Sequence, residues 1–589
     1  MRPARTGSRA RGRLEREPHR HAQVHSGKVD RWLAGVAVGV ALSMTAVVGV
    51  ITEPGGPVGW SHEVALLWLV AAAAGGRALL GFRRAPAEAE APRSFLEAIP
   101  LWPAVAVLAI APYLQALSIG FLSDDFGIVN TSKAAGGALD MLRLRPYVMF
   151  YRPLSELLWW SGLHMWGAAP LGYHLLNIVL HAGNALLVYA LALRLTGKRY
   201  AALVAGAVFA VHPLHVEPVV WACCQPDLLA AGLSLLSLLC LEAFLGSTPR
   251  WKRGLALAAA LTAFLLALLS KESAFGLPGV AAARMLIAGR EGRWRRAVGV
   301  GGAYSALLGG YLVWRFSALG MLGGYRVTLH FWNTLFPSTP LRQAGLFFFP
   351  VHRELFYAAG GPVLLGAAVA LMAGAVLWWI RGMGYVPSGR LWFYAGYIVF
   401  MSAPVWTIAI GIGGDLEGSR FTYLPTVSLA WLLGDLAGGR GMGWRRGGAM
   451  SLAVVLAAAV LCVWYVTPWR QADALAKEAL AGGQRIVADL PETEQAPMLF
   501  VQGLPETHLG AQVFRNSYAP ALMQSVDRPI VVQTVAARGE ASGFTEQQLE
   551  MSVLLPGEYE LTWREATRSM EVTRAGRAAT PGVSEGGAP

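Results

Sequence analysis

Runs of roughly twenty apolar residues separated by short polar stretches recur along the chain from Trp32 onward. A run of that length crosses a bilayer as a helix, because a helix satisfies its own backbone hydrogen bonds without water. The pattern predicts about thirteen spans. They begin near Trp32, Glu63, Ile99, Leu171, Tyr200, Asp227, Gly254, Ala274, Ala297, Ala358, Leu391, Phe421 and Ala449. The run near Ala274 is short and contains Pro278. After the last span the character changes, and apolar runs shrink to strand size. Leu499 to Gln502, Pro529 to Val535 and Glu558 to Trp563 read as strands. The expected fold is an all-α polytopic membrane protein with a small C-terminal extracytoplasmic domain containing β-strands.

Loop charge gives the direction. Arg77, Arg83, Arg84 and Arg93 follow the second span, and Arg194, Lys198 and Arg199 the fourth. Arg250, Lys252 and Arg253 follow the sixth, and Arg290, Arg293, Arg295 and Arg296 the eighth. Arg381 and Arg390 follow the tenth, and Arg440, Arg445 and Arg446 the twelfth. Positive loops stay inside, so the N-terminus is expected in the cytoplasm and the C-terminal segment outside. Four units follow. Residues 1–31 are a basic disordered tail, 32–469 the membrane domain, 470–576 an outer α+β domain, and 577–589 a loose tail. The outer loop 122–170 carries spaced apolar residues beside Arg, Tyr and Trp, which suits helices lying in the interface plane.

Composition agrees with the spans. The chain is 55% hydrophobic and 14% charged, against about 45–50% and about 25% in soluble domains. Its formal charge of +13 sits largely in the N-terminal tail and the short inner loops, so it argues for membrane topology and against nucleic acid as a partner. Of four cysteines, Cys240 and Cys462 lie in apolar runs, and Cys223 and Cys224 are neighbours. Packing is the simpler reading for all four, with a vicinal disulfide the alternative. Arg far outnumbers Lys, and Ala and Gly are abundant, as in a GC-rich bacterial genome. The expected location is therefore a bacterial cytoplasmic (inner) membrane.

Chemistry-bearing residues cluster at the outer ends of the spans. Asp124 and Asp125 follow the third span; Arg152, Glu156 and His164 lie in the loop after them. The fifth span ends in His212-Pro-Leu-His215-Val-Glu217, Asp227 starts the sixth, and Lys271-Glu272 caps the seventh. Asp415, Glu417 and Arg420 precede the twelfth. Acidic groups beside hydrocarbon are costly and are usually kept for a task. A carboxylate such as Asp124 or Asp125 suits proton abstraction from an acceptor hydroxyl. Arg152, Lys271 and Arg420 are cations suited to a departing phosphate. His212, His215, Glu217, Asp227 and Glu272 would line the cavity between them. Each has a plainer reading: Asp124 or Asp125 as a helix cap, Lys271 and Glu272 as an interface anchor, Arg420 as a structural partner of Glu217. His212 and His215 stand three apart near Glu217, a spacing that a divalent metal would also use, although a hydrogen-bond network accounts for it more simply.

With these residues placed, the chain resembles the integral-membrane GT-C glycosyltransferases, especially the membrane half of the transmembrane-and-TPR proteins and their bacterial relatives, which are similar to protein O-mannosyltransferases. The resembling pieces are Ser123-Asp-Asp-Phe126, Tyr151-Arg-Pro-Leu154, Gly172-Tyr-His-Leu-Leu-Asn177 with His181 and Asn184, His212-Pro-Leu-His-Val-Glu217, Leu269-Ser-Lys-Glu-Ser273 and Ser419-Arg-Phe-Thr-Tyr-Leu-Pro425. The resemblance implies a GT-C fold, Asp124 and Asp125 as the acidic pair supplying the base, an undecaprenyl- or dolichyl-phosphate-linked sugar as donor, and inversion at the anomeric carbon. The acceptor would be a protein or glycan hydroxyl.

Three departures qualify it. Where such relatives tend to carry Gly-Arg-x-Asp, this chain has Cys224-Gln-Pro-Asp227, so a cation is missing. No 34-residue TPR-like repeat follows the membrane part, and two extra spans precede the acidic loop. The rival function is a transporter or flippase of a lipid-linked saccharide, which would place its polar groups near the bilayer midplane, often within repeats.

Overall fold

The computed structural model describes residues 101–576 apart from 143–149, 248, 289–291, 321–342, 344, 383–385, 407–411, 413, 439–443, 493–494, 516 and 536–553. The tails 1–31 and 577–589, the spans expected near Trp32 and Glu63, and the basic exit from Arg77 to Arg93 lie outside the described residues.

The chain is predominantly helical. After α1 (Trp102–Ile110) and a 3-10 continuation to Ser118 come three helices of the loop 122–170: α2 (Asp124–Lys133), α3 (Ala138–Leu142) and α4 (Pro153–Trp166). The bundle continues through α5 (Pro170–Thr196), α6 (Arg199–Ala210), α7 (Val216–Val220), α8 (Gln225–Gly246), α9 (Arg250–Leu268), α10 (Leu277–Ile287), α11 (Arg293–Leu319), α12 (Arg353–Gly382), α13 (Ser388–Trp406), α14 (Thr426–Ala437) and α15 (Trp444–Tyr465). Among the described residues five helices are long and apolar enough to cross a membrane, or six if the bent pair α6 and α7 counts as one span. Side chains such as Leu175, Val298, Val313 and Val460 are exposed on the bundle surface, as a lipid-facing wall requires.

Three of the expected spans form helices too short to count as crossing, the run near Ile99 among them, helical over Trp102–Ser118. The run near Ala274 forms only the 11 residues of α10 after a 3-10 turn over Glu272–Gly276, and the run near Phe421 forms only the 12 residues of α14 after another 3-10 turn. Pro278 and Pro425 sit at the two helix starts, where the missing N–H is harmless and the fixed φ sets the entry.

The break between α6 and α7 shows how irregular backbone is tolerated. Pro213 ends the helix and leaves His212 extended (φ −70°, ψ 124°), with a 50° bend across the pair. Carbonyls released there would be costly to leave bare in a bundle interior. His215 Nδ1 lies 2.8 Å from the Phe209 oxygen, His181 Nε2 lies 2.9 Å from the Ala210 oxygen, and the Cys462 thiol donates to the Val211 oxygen at 3.1 Å.

Helices α6 and α14 touch through Gly434. A Cβ built there falls 2.3 Å from the Ala201 carbonyl oxygen and 2.8 Å from the Ala205 methyl. Gly434→Ala is therefore expected to lower stability by about 1–3 kcal/mol through overpacking, read as a lower melting temperature in detergent.

The segment 470–576 begins inside α16 (Thr467–Asp489), an amphipathic helix that buries Trp469, Ala472, Leu475, Ala476 and Ala479. Its sheet has the order β4 (Val531–Thr534), β1 (Met498–Gln502), β5 (Glu558–Arg564), β6 (Ser569–Ala575). Strand β1 is parallel to both neighbours, with Met498 opposite Val531 and Glu558, and β5 pairs antiparallel with β6. The continuous apolar core of β1, Leu499-Phe-Val501, fits a strand buried on both faces. A short hairpin, β2 (Thr507–His508) and β3 (Ala511–Gln512), follows β1, and α17 (Tyr518–Gln524) supplies the crossover to β4. The three strands expected from sequence coincide with β1, β4 and β5.

Candidate active site at the polar end of the bundle

Chain direction alone brings the candidate residues to one end. The start of α5, the end of the α6–α7 pair, the start of α8, the end of α9 and the end of α11 all lie there. The opposite ends carry the basic turns, where Lys198 donates to the Gly438 carbonyl at 2.9 Å and Arg390 pairs with Asp435 at 2.6 Å.

The acidic turn is held in an unusual conformation. Ser123, fully buried, has φ 46° and ψ −120°, a backbone state that non-glycine residues adopt only under constraint, at a cost of about 1–3 kcal/mol. Asp125 N–H donates to the Leu122 carbonyl at 3.1 Å, while Asp125 Oδ2 accepts the Leu122 N–H at 2.9 Å. Asp125 is wholly buried, and the Cys223 backbone amide also bears on its carboxyl. Burial pushes its carboxyl well above its usual 3.8, against the pull of the Leu122 amide, and the neighbouring Asp124 adds to the rise. Asp124 is different. It opens α2 half-buried, with no ion pair or side-chain hydrogen bond among the described residues. One carboxylate of the pair builds the turn, and the other is presented.

A second cluster lies across the turn Trp221–Gln225. Trp221 Nε1–H donates to the Leu122 carbonyl at 3.2 Å, tying that turn to the acidic one, and Cys223 lies within electrostatic reach of Asp124 and Asp125. The thiols of Cys223 and Cys224 are free. Glu217 accepts from the Arg420 backbone N–H at 2.8 Å and the Ser419 hydroxyl at 3.1 Å, and forms a close ion pair with the Arg420 guanidinium. That guanidinium lies over the rings of Trp221 and Phe421, at 5.1 and 4.7 Å. Burial works against its charge, yet Glu217 outweighs burial and raises the Arg420 pKa above its usual value. Lys271 pairs with Asp227 at 2.5 Å beneath Phe421.

A third cluster adjoins it through Lys271-Glu272. Arg152 donates to Glu272 Oε2 through Nε at 3.0 Å and Nη2 at 2.8 Å, and Arg315 donates to Glu272 Oε1 at 2.6 Å. Burial would raise the Glu272 pKa, but the two guanidiniums outweigh it and pull it from 4.5 to about 2. Arg315 is completely buried and also donates to the Tyr311 hydroxyl at 2.9 Å. Charge is thus graded along the polar end: two carboxylates at the acidic turn, two balanced pairs beside it, then two cations sharing one carboxylate.

Each cation singled out from sequence is therefore engaged by a carboxylate singled out for the cavity. His212 and His215 face inward as buried hydrogen-bonding groups. His212 Nε2 lies 3.0 Å from the Phe347 oxygen and Nδ1 accepts from Leu214 N–H, while His215 Nε2 lies 2.7 Å from the Thr426 hydroxyl. Among the described residues no three His, Cys, Asp or Glu side chains gather as a metal site would need. His164 turns back onto the Trp160 carbonyl at 2.8 Å and does not join the clusters. Sequence reading missed Arg315. The signal was there, a single ionisable residue inside the apolar run Tyr311-Leu-Val-Trp-Arg315-Phe. An apolar cavity of about 410 Å³ opens between α6, α14 and α15, lined by Val204, Val208, Leu429, Leu433, Val455 and Leu461, with His212 also on its wall.

No family model matches the chain. Protein O-mannosyl-transferase Tmtc1 of Drosophila melanogaster is 35% identical over 144 residues, 22% of this chain and 17% of that protein. Protein O-mannosyl-transferase TMTC2 of Homo sapiens is 32% identical over 151 residues, 23% and 17% respectively. Among solved structures, ArnT from Cupriavidus metallidurans bound to undecaprenyl phosphate has a TM-score of 0.40 and 15% identity, covering 79% of this chain and 93% of that one. The archaeal oligosaccharyltransferase AglB from Archaeoglobus fulgidus, in complex with an inhibitory peptide and a dolichol-phosphate, has a TM-score of 0.37 and 12% identity, covering 72% and 63%. The chain spans 17% of the length of the first two relatives, and over that stretch it is similar to the protein O-mannosyl-transferases.

Proposed function

We propose that this protein is an integral-membrane glycosyltransferase of the GT-C kind, moving a sugar from a polyprenyl-phosphate carrier to a protein or glycan hydroxyl on the outer face of a bacterial inner membrane. One observation carries the reading: an uncommitted, half-buried carboxylate, Asp124, stands beside a buried one at the same helix ends as two cation–carboxylate pairs and a carboxylate shared by two cations. The similarity to protein O-mannosyl-transferases supports the reaction class, and the apolar cavity supports a lipid-borne donor.

The proposed chemistry runs as a single displacement. The acceptor hydroxyl oxygen attacks the anomeric carbon as the bond from that carbon to the phosphate oxygen breaks. Asp124 takes the hydroxyl proton, and polyprenyl phosphate leaves with the bonding pair. Attack opposite the leaving group inverts the anomeric centre. Negative charge develops on the phosphate, and in this reading Arg152, Lys271 and Arg420 are the cations that would stabilise it. Because each already holds a carboxylate, the phosphate would share the cation, as Glu272 shares two. The isoprenoid chain would lie in the 410 Å³ cavity, entered from the bilayer side.

The test is mass spectrometry of glycans and glycoproteins from a deletion strain complemented with wild type or with the Asp124→Ala/Asp125→Ala double variant. A sugar lost on deletion and restored only by wild type is the expected result. Restoration by the double variant would remove the acid-pair mechanism. An unchanged glycan profile, with lipid-linked sugar accumulating on one leaflet, would replace the transferase with a flippase.

A further inference from the structure

The outer segment after α16 reaches into the candidate site through one hairpin. Strands β2 and β3 pair Thr507 with Gln512 and His508 with Ala511, leaving Leu509-Gly510 as a two-residue turn. Both turn residues have positive φ, 46° and 77°, the signature of the tight turn that matches strand twist. Asn-Gly is the usual choice there, and a leucine at the first position is strained. The tip makes contacts that hold it. The Leu509 carbonyl lies 3.0 Å from His352 Nε2, and Leu509 and Gly510 close a space of about 20 Å³ whose other walls include Glu217, Ser419, His352 and Asp415. A Cβ on Gly510 would fall 2.3 Å from the Asp415 carbonyl oxygen. Gln512 donates to Glu417 at 3.1 Å, and Arg515 pairs with the same carboxylate at 3.4 Å.

The other end of the hairpin meets the acidic turn. Ser123 N–H donates to the Val513 carbonyl at 2.9 Å, Phe514 stacks on Phe126 at 6.5 Å, and Gln524 donates to the Phe126 carbonyl at 3.2 Å. Val513 is itself fixed, donating its N–H to the Glu506 carbonyl at 2.9 Å. A single rigid ribbon therefore bridges the strained residue ahead of Asp124 and the loop 414–420 that carries Arg420.

We propose that the hairpin from Thr507 to Arg515 is the positioning element of the site, holding the Ser123 turn in its strained state and fixing the Asp124 carboxylate relative to the Arg420 loop. This rests on the transferase reading for its catalytic consequence, but not for its structural one. A base must sit within a narrow distance of the proton it takes, and displacement by about 1 Å can cost on the order of a hundredfold in rate. Strain at Ser123 persists only while its surroundings over-determine it. Withdrawing the Val513 carbonyl removes one of those constraints.

Two variants and two measurements decide it. Gly510→Val combines an unfavourable φ with a clash against Asp415, and lifts the tip. Phe514→Ala removes the stack on Phe126, and Phe514→Leu restores apolar bulk. Hydrogen exchange read by mass spectrometry on the full-length protein in detergent is expected to rise in peptides covering 120–128 and 414–422 for Gly510→Val and Phe514→Ala, with the interior of α5 unchanged. The rate of undecaprenyl phosphate release from undecaprenyl-phosphate mannose, per folded protein in native membranes, is expected to fall about a hundredfold at saturating donor. The apparent KM for donor should stay the same, and Phe514→Leu should recover most of the rate. Unchanged exchange at 120–128 overturns the clamp. Raised exchange with an unchanged rate, or a rate that falls only in step with folded protein, overturns the positioning role. If wild type releases no undecaprenyl phosphate, the transferase reading fails for this donor, while the exchange measurement still decides the clamp.

Discussion

Asp124→Asn is expected to lower the maximal transfer rate by roughly 10²–10⁴-fold, the usual contribution of a general base, with the protein still folded and inserted. Under the proposed reaction Asp124 is the base, since it is half-buried and without a side-chain partner among the described residues. Asp125→Asn is expected to act differently. The asparagine oxygen can still accept the Leu122 N–H, so the turn survives and the rate falls less. The larger effect is on pH dependence. Asp125 has a folded-state pKa well above its usual 3.8, so the folded protein binds that proton more tightly than the unfolded chain. The stability it contributes is fully present below 3.8 and is lost as pH rises through the raised value. Asp125→Asn should flatten that decline in melting temperature while leaving the acid limb of the curve. Equal rate losses in the two single variants would show that Asp125 shares the chemistry.

Glu272→Ala should cost about 3–5 kcal/mol of stability, the price of breaking a buried ion pair from one side. It strands Arg315, which has no exposed side-chain surface, and frees the more accessible Arg152. Thermal unfolding in detergent measures the loss. The double variant Glu272→Leu/Arg315→Met should recover most of it, because an apolar pair of similar size carries no buried charge, while Arg152 can turn to water. The pH dependence runs opposite to that of Asp125. With its pKa drawn from 4.5 to about 2, Glu272 contributes stability that is present above 4.5 and lost as pH falls towards 2. Glu272→Ala removes that part of the acid sensitivity. No recovery in the double variant would mean that the guanidinium is needed for packing rather than for charge balance.

The histidine motif shows where reading from sequence reaches its limit. His212 and His215 stood out because paired histidines beside a glutamate also suit a metal. Their role in the fold follows from Pro213, since the proline releases carbonyls on which His215 and, from α5, His181 sit, while His212 reaches the Phe347 carbonyl of a distant segment. The same local break is visible in the sequence as His-Pro, but its partners come from other helices. Arg315 was legible in principle as a charge within an apolar run, and was passed over because its partner Glu272 lies 43 residues away.

The helical membrane architecture and the concentration of candidate chemistry at helix ends are legible in the linear chain. Both rest on local quantities, the length of apolar runs and the sign of the charges between them. The three principal strands are legible there too, through short apolar runs bounded by turn residues. Which carboxylate meets which cation emerges only on folding. Glu217 and Arg420 are 203 positions apart, and Asp227 and Lys271 are 44 apart. Folding also determines which of two adjacent aspartates is buried, that two apolar runs form helices of 11 and 12 residues, and that a hairpin beyond the last span docks on the acidic turn. Burial and ion pairing are set by contacts between distant segments, and such contacts leave no periodicity in the chain that makes them.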